Sequence, residues 1–237
     1  MRIHFIQHVP FEDPAFIIDW AAKNNFPVSS GRAYANDPYP DYNEFDLLLI
    51  MGGPMSVNDE HLLPWLKSEK IFIKNAIGRN KVVIGICLGA QLIASICNAT
   101  IRQNPAKEIG WFPIAFNDSA CKSLDLPFSG EMMTFHWHGE TFDLPEGGLL
   151  LASSQACLNQ AFSIGNSVFG FQFHMEATSF SVERLITHCE NELDGSVYVQ
   201  AKEKITSLMN YTHNTNAVME MFLDWIRKTH FDISSKE

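Results

Sequence analysis

The sequence has no excess of positive charge. Its 237 residues include 17 Lys and Arg against 27 Asp and Glu, which gives a formal net charge of -10. Recognition of a phosphate backbone needs a basic face, so we expect no nucleic-acid partner. No run approaches the roughly 18 apolar residues of a membrane-spanning helix, and the first residues lack the apolar core and cleavage site of a signal peptide. We therefore expect no membrane partner either.

Cysteine is scarce and scattered. The five cysteines are odd in number and contain no Cys-x-x-Cys spacing; they are Cys87, Cys97, Cys121, Cys157 and Cys189. This pattern fits neither a disulfide framework nor a zinc site and is typical of a reducing cytoplasm. His136 and His138 share one strand face, but no third ligand follows at a sensible spacing. We expect a cytoplasmic protein with no metal and no cofactor.

Strands and helices alternate along the first hundred residues. Strand-like runs lie at 2–8, 27–30, 46–51 and 81–86. A helix follows the first strand, with Asp13 as the predicted N-cap and Pro14 as its first residue. A second helix runs from Pro64 to Gly78, and a third passes through 91–96. This order predicts a parallel sheet with helices on both faces.

The second half of the chain has a different pattern. Strand-like segments follow one another without helices between them, at 111–116, 132–138, 148–152, 160–164 and 167–173. They predict antiparallel strands added to the parallel core. Helices are expected from near Thr178, over 196–210 and over 216–228, and the tail from Lys228 is expected to fray. We interpret residues 1–237 as a single α/β domain with C-terminal helices from about 196.

One short stretch organises the chemistry. A buried strand reaches Gly85-Ile86-Cys87-Leu88-Gly89 and passes directly into a helix, which is the setting of a nucleophile elbow. Cys87 would sit on a strained turn at a helix N-terminus, where free N–H groups favour a thiolate. We therefore predict that Cys87 is a nucleophile. A buried structural cysteine is the alternative.

A nucleophilic cysteine needs a base, an orienting group and donors for an oxyanion. His174 and Glu176 end an apolar strand and point to the same side because they are two residues apart. The N–H of Leu88 is the expected first oxyanion donor. A second donor could come from the Gly52-Gly53 turn, which also ends a strand.

These segments together resemble the three signature blocks of the class I (triad) glutamine amidotransferases. The blocks are Gly52-Gly53-Pro54, Gly85-Ile86-Cys87-Leu88-Gly89-Ala90-Gln91 and Phe171-Gln172-Phe173-His174-Met175-Glu176. The resemblance covers roughly residues 1–190. A His-Gly-Glu block at His138-Gly139-Glu140 makes the chain most similar to stand-alone proteins that resemble the amidotransferase domain of GMP synthase.

The resemblance implies a flavodoxin-like fold and cleavage of the side-chain amide of glutamine. Cys87 would form a γ-glutamyl thioester, with His174 as base and Glu176 as its orienting carboxylate. Gly53 and Leu88 would form the oxyanion hole. Gln91 and the backbone around Trp137 and His138 would hold the amino-acid end of the substrate.

Two departures limit what the resemblance implies. Met175 stands where the family usually has proline, between the histidine and the glutamate. The sequence also has no phosphate-binding loop and no Ser-Gly-Gly-x-Asp run, so any use of the ammonia requires a partner, namely a separate synthetase subunit. Two alternatives stay open: a γ-glutamyl peptidase, and a regulatory subunit that is non-enzymatic or activated by a partner.

Overall fold

The computed structural model describes residues 1–232, which form nine strands and seven α-helices. The strands are β1 Ile3–Gln7, β2 Val28–Arg32, β3 Leu47–Ile50, β4 Val82–Ile86, β5 Ile101–Phe116, β6 Glu131–Phe142, β7 Gly148–Ser154, β8 Ala161–Ile164 and β9 Val168–Phe171. The helices are α1 Phe16–Lys23, α2 Trp65–Gly78, α3 Leu88–Ile96, α4 Asp118–Ser123, α5 Ser179–Cys189, α6 Lys202–Ser207 and α7 Tyr211–His230.

All nine strands belong to one sheet, in the order β2-β1-β3-β4-β9-β8-β7-β5-β6. The first five in this order pair in parallel, and the remaining four pair antiparallel to their neighbours. The fold is therefore flavodoxin-like, with a doubly wound, mostly parallel sheet and antiparallel strands added in the second half. This confirms the fold class predicted from the sequence.

Strand β3 shows why the sheet is covered on both faces. All four of its residues are buried. Leu47 and Leu49 contribute to a core that includes residues of α1 and α7, whereas Leu48 and Ile50 contribute to a second core with residues of α2 and α3. Because successive side chains of a strand point to opposite faces, a continuous apolar run is what a sheet between two helical layers needs.

A third core covers the antiparallel arm. It joins apolar residues of β5 and β6 to α5 and α6, among them Trp111, Trp137, Leu185 and Ile205. The N-terminus of α5 is held by a capping box, in which the Thr178 hydroxyl accepts from the N–H of Ser181 at 3.2 Å. The helix predicted near Thr178 therefore begins where the sequence placed it.

The predicted start of α1 is wrong by two residues. Asp13 caps a turn before the helix, since its carboxylate accepts from the N–H of Ala15 at 3.0 Å. The N-cap is Ala15, which has φ 42° and no side-chain cap, and the helix begins at Phe16. Aspartate readily bonds the backbone two residues ahead, and this turn competes with the capping role predicted for it.

Other boundaries also differ. Strand β5 begins at Ile101, ten residues before the predicted start, because its first half is largely exposed and carries no apolar run. Helix α4 was not predicted. Between residues 196 and 210 the only α-helix is α6, whereas α7 starts earlier and ends later than expected. Residues 228–230 of the predicted frayed tail are helical in α7, and residues 233–237 lie outside the described residues.

No helix within residues 1–232 is both long enough and apolar enough to cross a membrane.

Candidate active site

Cys87 occupies a strained turn between β4 and α3. Its φ is 53°, a value that is uncommon outside glycine and costs conformational energy. Its N–H donates to the carbonyl oxygen of Phe171 at 2.7 Å, which ties the turn to β9. The side chain is 7% exposed and faces a cavity. A strained residue between a strand and a helix, with its side chain in a cavity, has the geometry of the predicted nucleophile elbow.

The glycines of the elbow allow its elements to approach closely. A Cβ atom on Gly89 would overlap the carbonyl oxygen of Ile50, and one on Gly85 would overlap the backbone of Gly89. These contacts bring β3, β4 and the first turn of α3 together. Side chains at either position would push the helix N-terminus away from the sheet.

His174 follows β9, the parallel neighbour of β4. Parallel neighbours end at the same edge of a sheet, so the residues after β4 and β9 meet there. The Nδ1 atom of His174 lies 2.7 Å from Oε1 of Glu176, and both side chains are buried. The N–H of His174 donates to the carbonyl oxygen of Phe135 at 2.9 Å. The carboxylate thus holds one ring nitrogen and leaves Nε2 for the thiol.

Burial and nearby charge act in opposite directions on this pair. Burial alone would lower the pKa of His174, but attraction to Glu176 and hydrogen bonds with Cys87 and Glu176 outweigh it, so the pKa is raised well above its usual value. Burial raises the pKa of the Cys87 thiol, and the hydrogen bond with His174 offsets this only in part. The thiolate-favouring pKa predicted from the helix N-terminus is therefore wrong for the free protein, because desolvation exceeds the effect of the helix.

Gly53 and Leu88, the two residues predicted to supply the oxyanion donors, lie side by side. A Cβ on Gly53 would come within 3.2 Å of the Leu88 side chain and 3.0 Å of His8 Cβ. Gly53 lines the same cavity as Cys87, and a backbone hydrogen bond from Leu88 lowers the pKa of the thiol. Gly53 and Leu88 are therefore neighbours close to the sulfur, as the predicted oxyanion hole requires.

The cavity next to Cys87 has a volume of about 310 Å³. The three residues expected to bind substrate, Gln91, Trp137 and His138, all line it. The carbonyl oxygen of Trp137 lies 3.6 Å from Sγ of Cys87. Gln91 donates to Gln172 at 3.1 Å, and the imidazole of His138 contacts Glu108 and the carbonyl of Glu140. The structure thus brings the predicted residues together around the nucleophile.

Comparison with known proteins agrees with this geometry. The family model described as glutamine amidotransferase class-I matches residues 18–188. The chain is 34% identical to the glutamine amidotransferase-like protein YfeJ of Salmonella typhimurium, over 97% of this chain and 99% of that protein.

The chain is a class-I glutamine amidotransferase family member.

Two further comparisons place this amidotransferase-family chain among stand-alone proteins and enzyme subunits. A crystal structure of a glutamine amido transferase from Methylobacillus flagellatus superposes with a TM-score of 0.87 at 30% identity, covering 95% of this chain and 94% of that one. A GMP synthase (glutamine-hydrolyzing) subunit of Saccharolobus solfataricus is 33% identical over 59% of this chain and 71% of its own length.

Gln172 is a site residue of this amidotransferase-family chain that the sequence reasoning did not assign a role. Its Nε2 lies 3.6 Å from Sγ of Cys87, and its Oε1 accepts from Gln91. It therefore links the nucleophile to a residue of the cavity wall. Its place directly before Phe173 and His174 in the third signature block was the signal that could have identified it.

Glu12 is a second site residue that was missed. Its carboxylate packs directly on Gly52, where a Cβ atom would also lie 3.5 Å from Cβ of Cys87, and it lines the cavity next to Cys87. Burial raises its pKa to about 7, against the opposing attraction of His174 and His8. It follows the carboxyl end of β1, and this edge of a parallel sheet is where ligands bind. Position alone could therefore have suggested it.

Glu108, His136 and His138 form a buried group whose ligand atoms lie close enough to hold a metal ion. Glu108 is the third residue that the sequence spacing did not reveal. Its Oε2 already has several partners: Gln160 donates to it at 2.6 Å and Ser154 at 3.1 Å, and Nε2 of His138 lies 3.2 Å away. These partners occupy the oxygen with hydrogen bonds that tie β5, β6 and β7 together, so we interpret the group as structural.

Proposed function

We propose that this protein hydrolyses the side-chain amide of glutamine, or of a related γ-glutamyl compound, through a thioester on Cys87. The observation that carries the proposal is the 2.7 Å contact between His174 and Glu176 at the sheet edge where Cys87 occupies a strained turn. A nucleophile, a base and an orienting carboxylate at one sheet edge are the components of covalent amide hydrolysis.

Acylation begins when Nε2 of His174 accepts the proton of the thiol. The sulfur then attacks the amide carbon, and the carbonyl oxygen becomes an oxyanion that accepts hydrogen bonds from the N–H groups of Gly53 and Leu88. His174 returns the proton to the amide nitrogen, the C–N bond breaks, and ammonia leaves. The raised pKa of His174 suits it to hold this proton between the two transfers.

Deacylation uses water in place of the thiol. His174 deprotonates the water, which attacks the thioester carbon, and the collapse of the intermediate returns the proton to Sγ of Cys87. Gln91 and the backbone of Trp137 and His138 hold the α-amino and α-carboxylate groups of the γ-glutamyl unit. The ammonia goes to solvent or to a synthetase subunit that binds this chain.

A γ-glutamyl peptidase is the second candidate. It uses the same steps with a larger amine as leaving group. The cavity supports this candidate because it is lined by further residues, among them Asp59 and Glu192, besides those expected to hold the γ-glutamyl unit. A regulatory subunit without turnover would also keep the triad.

An activity assay of the isolated chain tests the proposal. Purified protein is incubated with glutamine and with γ-glutamyl peptides, and release of glutamate is measured alongside a Cys87→Ala variant. We expect turnover that the variant lacks, together with covalent labelling of Cys87 by a glutamine-like electrophile. If Cys87 is labelled without turnover, a partner-activated role replaces the proposal. If neither labelling nor turnover occurs, the enzyme hypothesis fails for the lone chain.

A further inference from the structure

The catalytic cavity is acidic. Four carboxylate residues line it, Glu12, Asp59, Glu140 and Glu192, and its described lining contains no lysine or arginine. All four are half-buried. Half-buried carboxylates facing a cavity interact with a ligand's charge more strongly than exposed ones, because solvent screens them less.

The four carboxylates form two pairs. Asp59 and Glu140 flank Ser56: the N–H of Ser56 donates to Asp59 at 2.8 Å, and its hydroxyl donates to Glu140 at 3.1 Å. Glu12 and Glu192 are near enough to repel each other, and this repulsion contributes to the raised pKa of Glu12. Each pair has its members on different segments of the chain, so the fold itself brings the like charges together.

Basic residues on neighbouring segments already have acidic partners elsewhere. Lys70 pairs with Glu60 at 2.6 Å, Lys107 with Asp194 at 3.0 Å, and Arg184 with Asp13 at 2.7 Å. The described ion pairs include none that joins a lysine or arginine to one of the four cavity carboxylates. Glu12 is attracted to the imidazoles of His174 and His8, so the negative charge left for a ligand is that of Asp59, Glu140 and Glu192.

The γ-glutamyl unit cannot supply all of the positive charge that would balance these carboxylates. Its α-ammonium and α-carboxylate groups sum to zero, and the ammonium can satisfy one pair of carboxylates at most. The remaining cavity carboxylates are then available to the amine portion of the substrate.

We propose that the cavity selects γ-glutamyl amides whose amine portion carries a second ammonium group, as in a monoacylated diamine or polyamine. This inference rests on the proposed function and specifies its substrate class. The reaction is the hydrolysis described above: the amide C–N bond breaks, water supplies the hydroxyl of the glutamate product, and the diamine leaves with the proton from His174. A γ-glutamyl amino acid, whose leaving portion ends in a carboxylate, is disfavoured by repulsion.

Three synthetic substrates of matched length test the charge requirement. They are γ-glutamyl-1,4-diaminobutane, γ-glutamyl-n-butylamine and γ-glutamyl-4-aminobutyrate, whose amine portions are cationic, neutral and anionic. We expect kcat/KM to fall in that order, with at least a 10-fold difference between the cationic and neutral amides at low salt. High salt should narrow the difference, because it screens partly exposed charges.

Substitutions of cavity carboxylates test whether the preference for a cationic amine portion arises in the cavity. Glu192→Gln and Asp59→Asn should each lower the cationic-to-neutral ratio of kcat/KM by about 3-fold or more, whereas Glu183→Gln, an exposed residue on α5, should leave the ratio unchanged. Equal rates for the three amides, or a ratio unaffected by both cavity variants, would overturn the inference and leave the proposed function standing. If the wild-type protein hydrolyses none of the amides and no glutamine, the proposed function itself fails.

Discussion

Asn216 in α7 donates a 2.8 Å hydrogen bond to the carbonyl oxygen of Met175, the residue between the proposed base and its carboxylate. The same amide donates to the carbonyl of Ala177 at 3.0 Å. Proline is usual at the position of Met175 in the family. In this chain a side chain from a distant helix holds the turn that proline would otherwise stiffen.

The first prediction concerns these two hydrogen bonds from Asn216. Asn216→Ala removes both bonds, so the His174–Glu176 turn should become less well positioned. We expect kcat to fall on the order of 10-fold, since small misplacements of catalytic groups are costly. The free energy of unfolding should fall by about 1–3 kcal/mol. Steady-state hydrolysis and urea unfolding measure the two effects. Asn210→Ala, which removes an exposed amide without a capping bond, is the matched control and should change neither.

The second prediction restores the residue usual in the family. Met175→Pro should change kcat by less than about 3-fold, because Asn216 already fixes the turn. It should reduce stability by about 1–3 kcal/mol, since the Met175 side chain is fully buried and part of a core. A 10-fold gain in kcat, measured with glutamine at saturation, would show instead that the turn limits catalysis.

The third prediction concerns the pH dependence of stability at Glu12. Burial raises its pKa to about 7 from an ordinary value of 4.5. The folded state therefore binds the proton more tightly than the unfolded state, and stability is lost as pH rises from below 4.5 through about 7. Glu12→Gln should match the wild type near pH 4 and be more stable by about 2 kcal/mol at pH 8.

Urea unfolding at a series of pH values between 4 and 8 measures this difference. Glu183→Gln, on the exposed face of α5, should show no such pH-dependent gain. A constant difference between Glu12→Gln and the wild type across the series would contradict the raised pKa.

The fourth prediction concerns the close contact beneath the elbow. Gly89→Ala would force a methyl group into the carbonyl oxygen of Ile50, so we expect a loss of stability of about 3 kcal/mol or more and loss of activity. Gly78→Ala, at the end of α2, places its methyl group in open space. It should keep full activity and raise the thermal unfolding midpoint slightly. Equal midpoints for the two variants would contradict the packing described for the elbow.

The centre of the candidate active site could be predicted because its signals are local. Cys87 lies between closely spaced glycines, and His174 and Glu176 are two residues apart on one strand end, so backbone geometry alone orients them. Glu108 and Glu12 lack such local signals, apart from the position of Glu12 after the carboxyl end of β1. Their roles depend on neighbours such as His138 and Cys87, which are distant in the chain and become adjacent only when the sheet forms.

The pKa of Cys87 shows the same division between local and tertiary effects. A helix N-terminus is visible in the sequence and favours the thiolate. Desolvation is set by everything packed around the sulfur, and in the fold it raises the pKa. The acidic lining of the cavity also depends on the tertiary structure, because Asp59 and Glu192 reach it from segments that are far apart in the chain.

The amino-acid sequence alone was enough to predict the nucleophile elbow, the His174–Glu176 pair and the doubly wound sheet, whereas the Gly53 and Leu88 oxyanion donors stay predictions. Each follows from short-range periodicity or from residues a few positions apart. The tertiary structure decided the pKa of the Cys87 thiol, the hydrogen bonds from Asn216 to the turn at Met175, and the grouping of four carboxylates around the cavity. Those features depend on burial and on contacts between residues far apart in the chain, which a one-dimensional pattern does not contain.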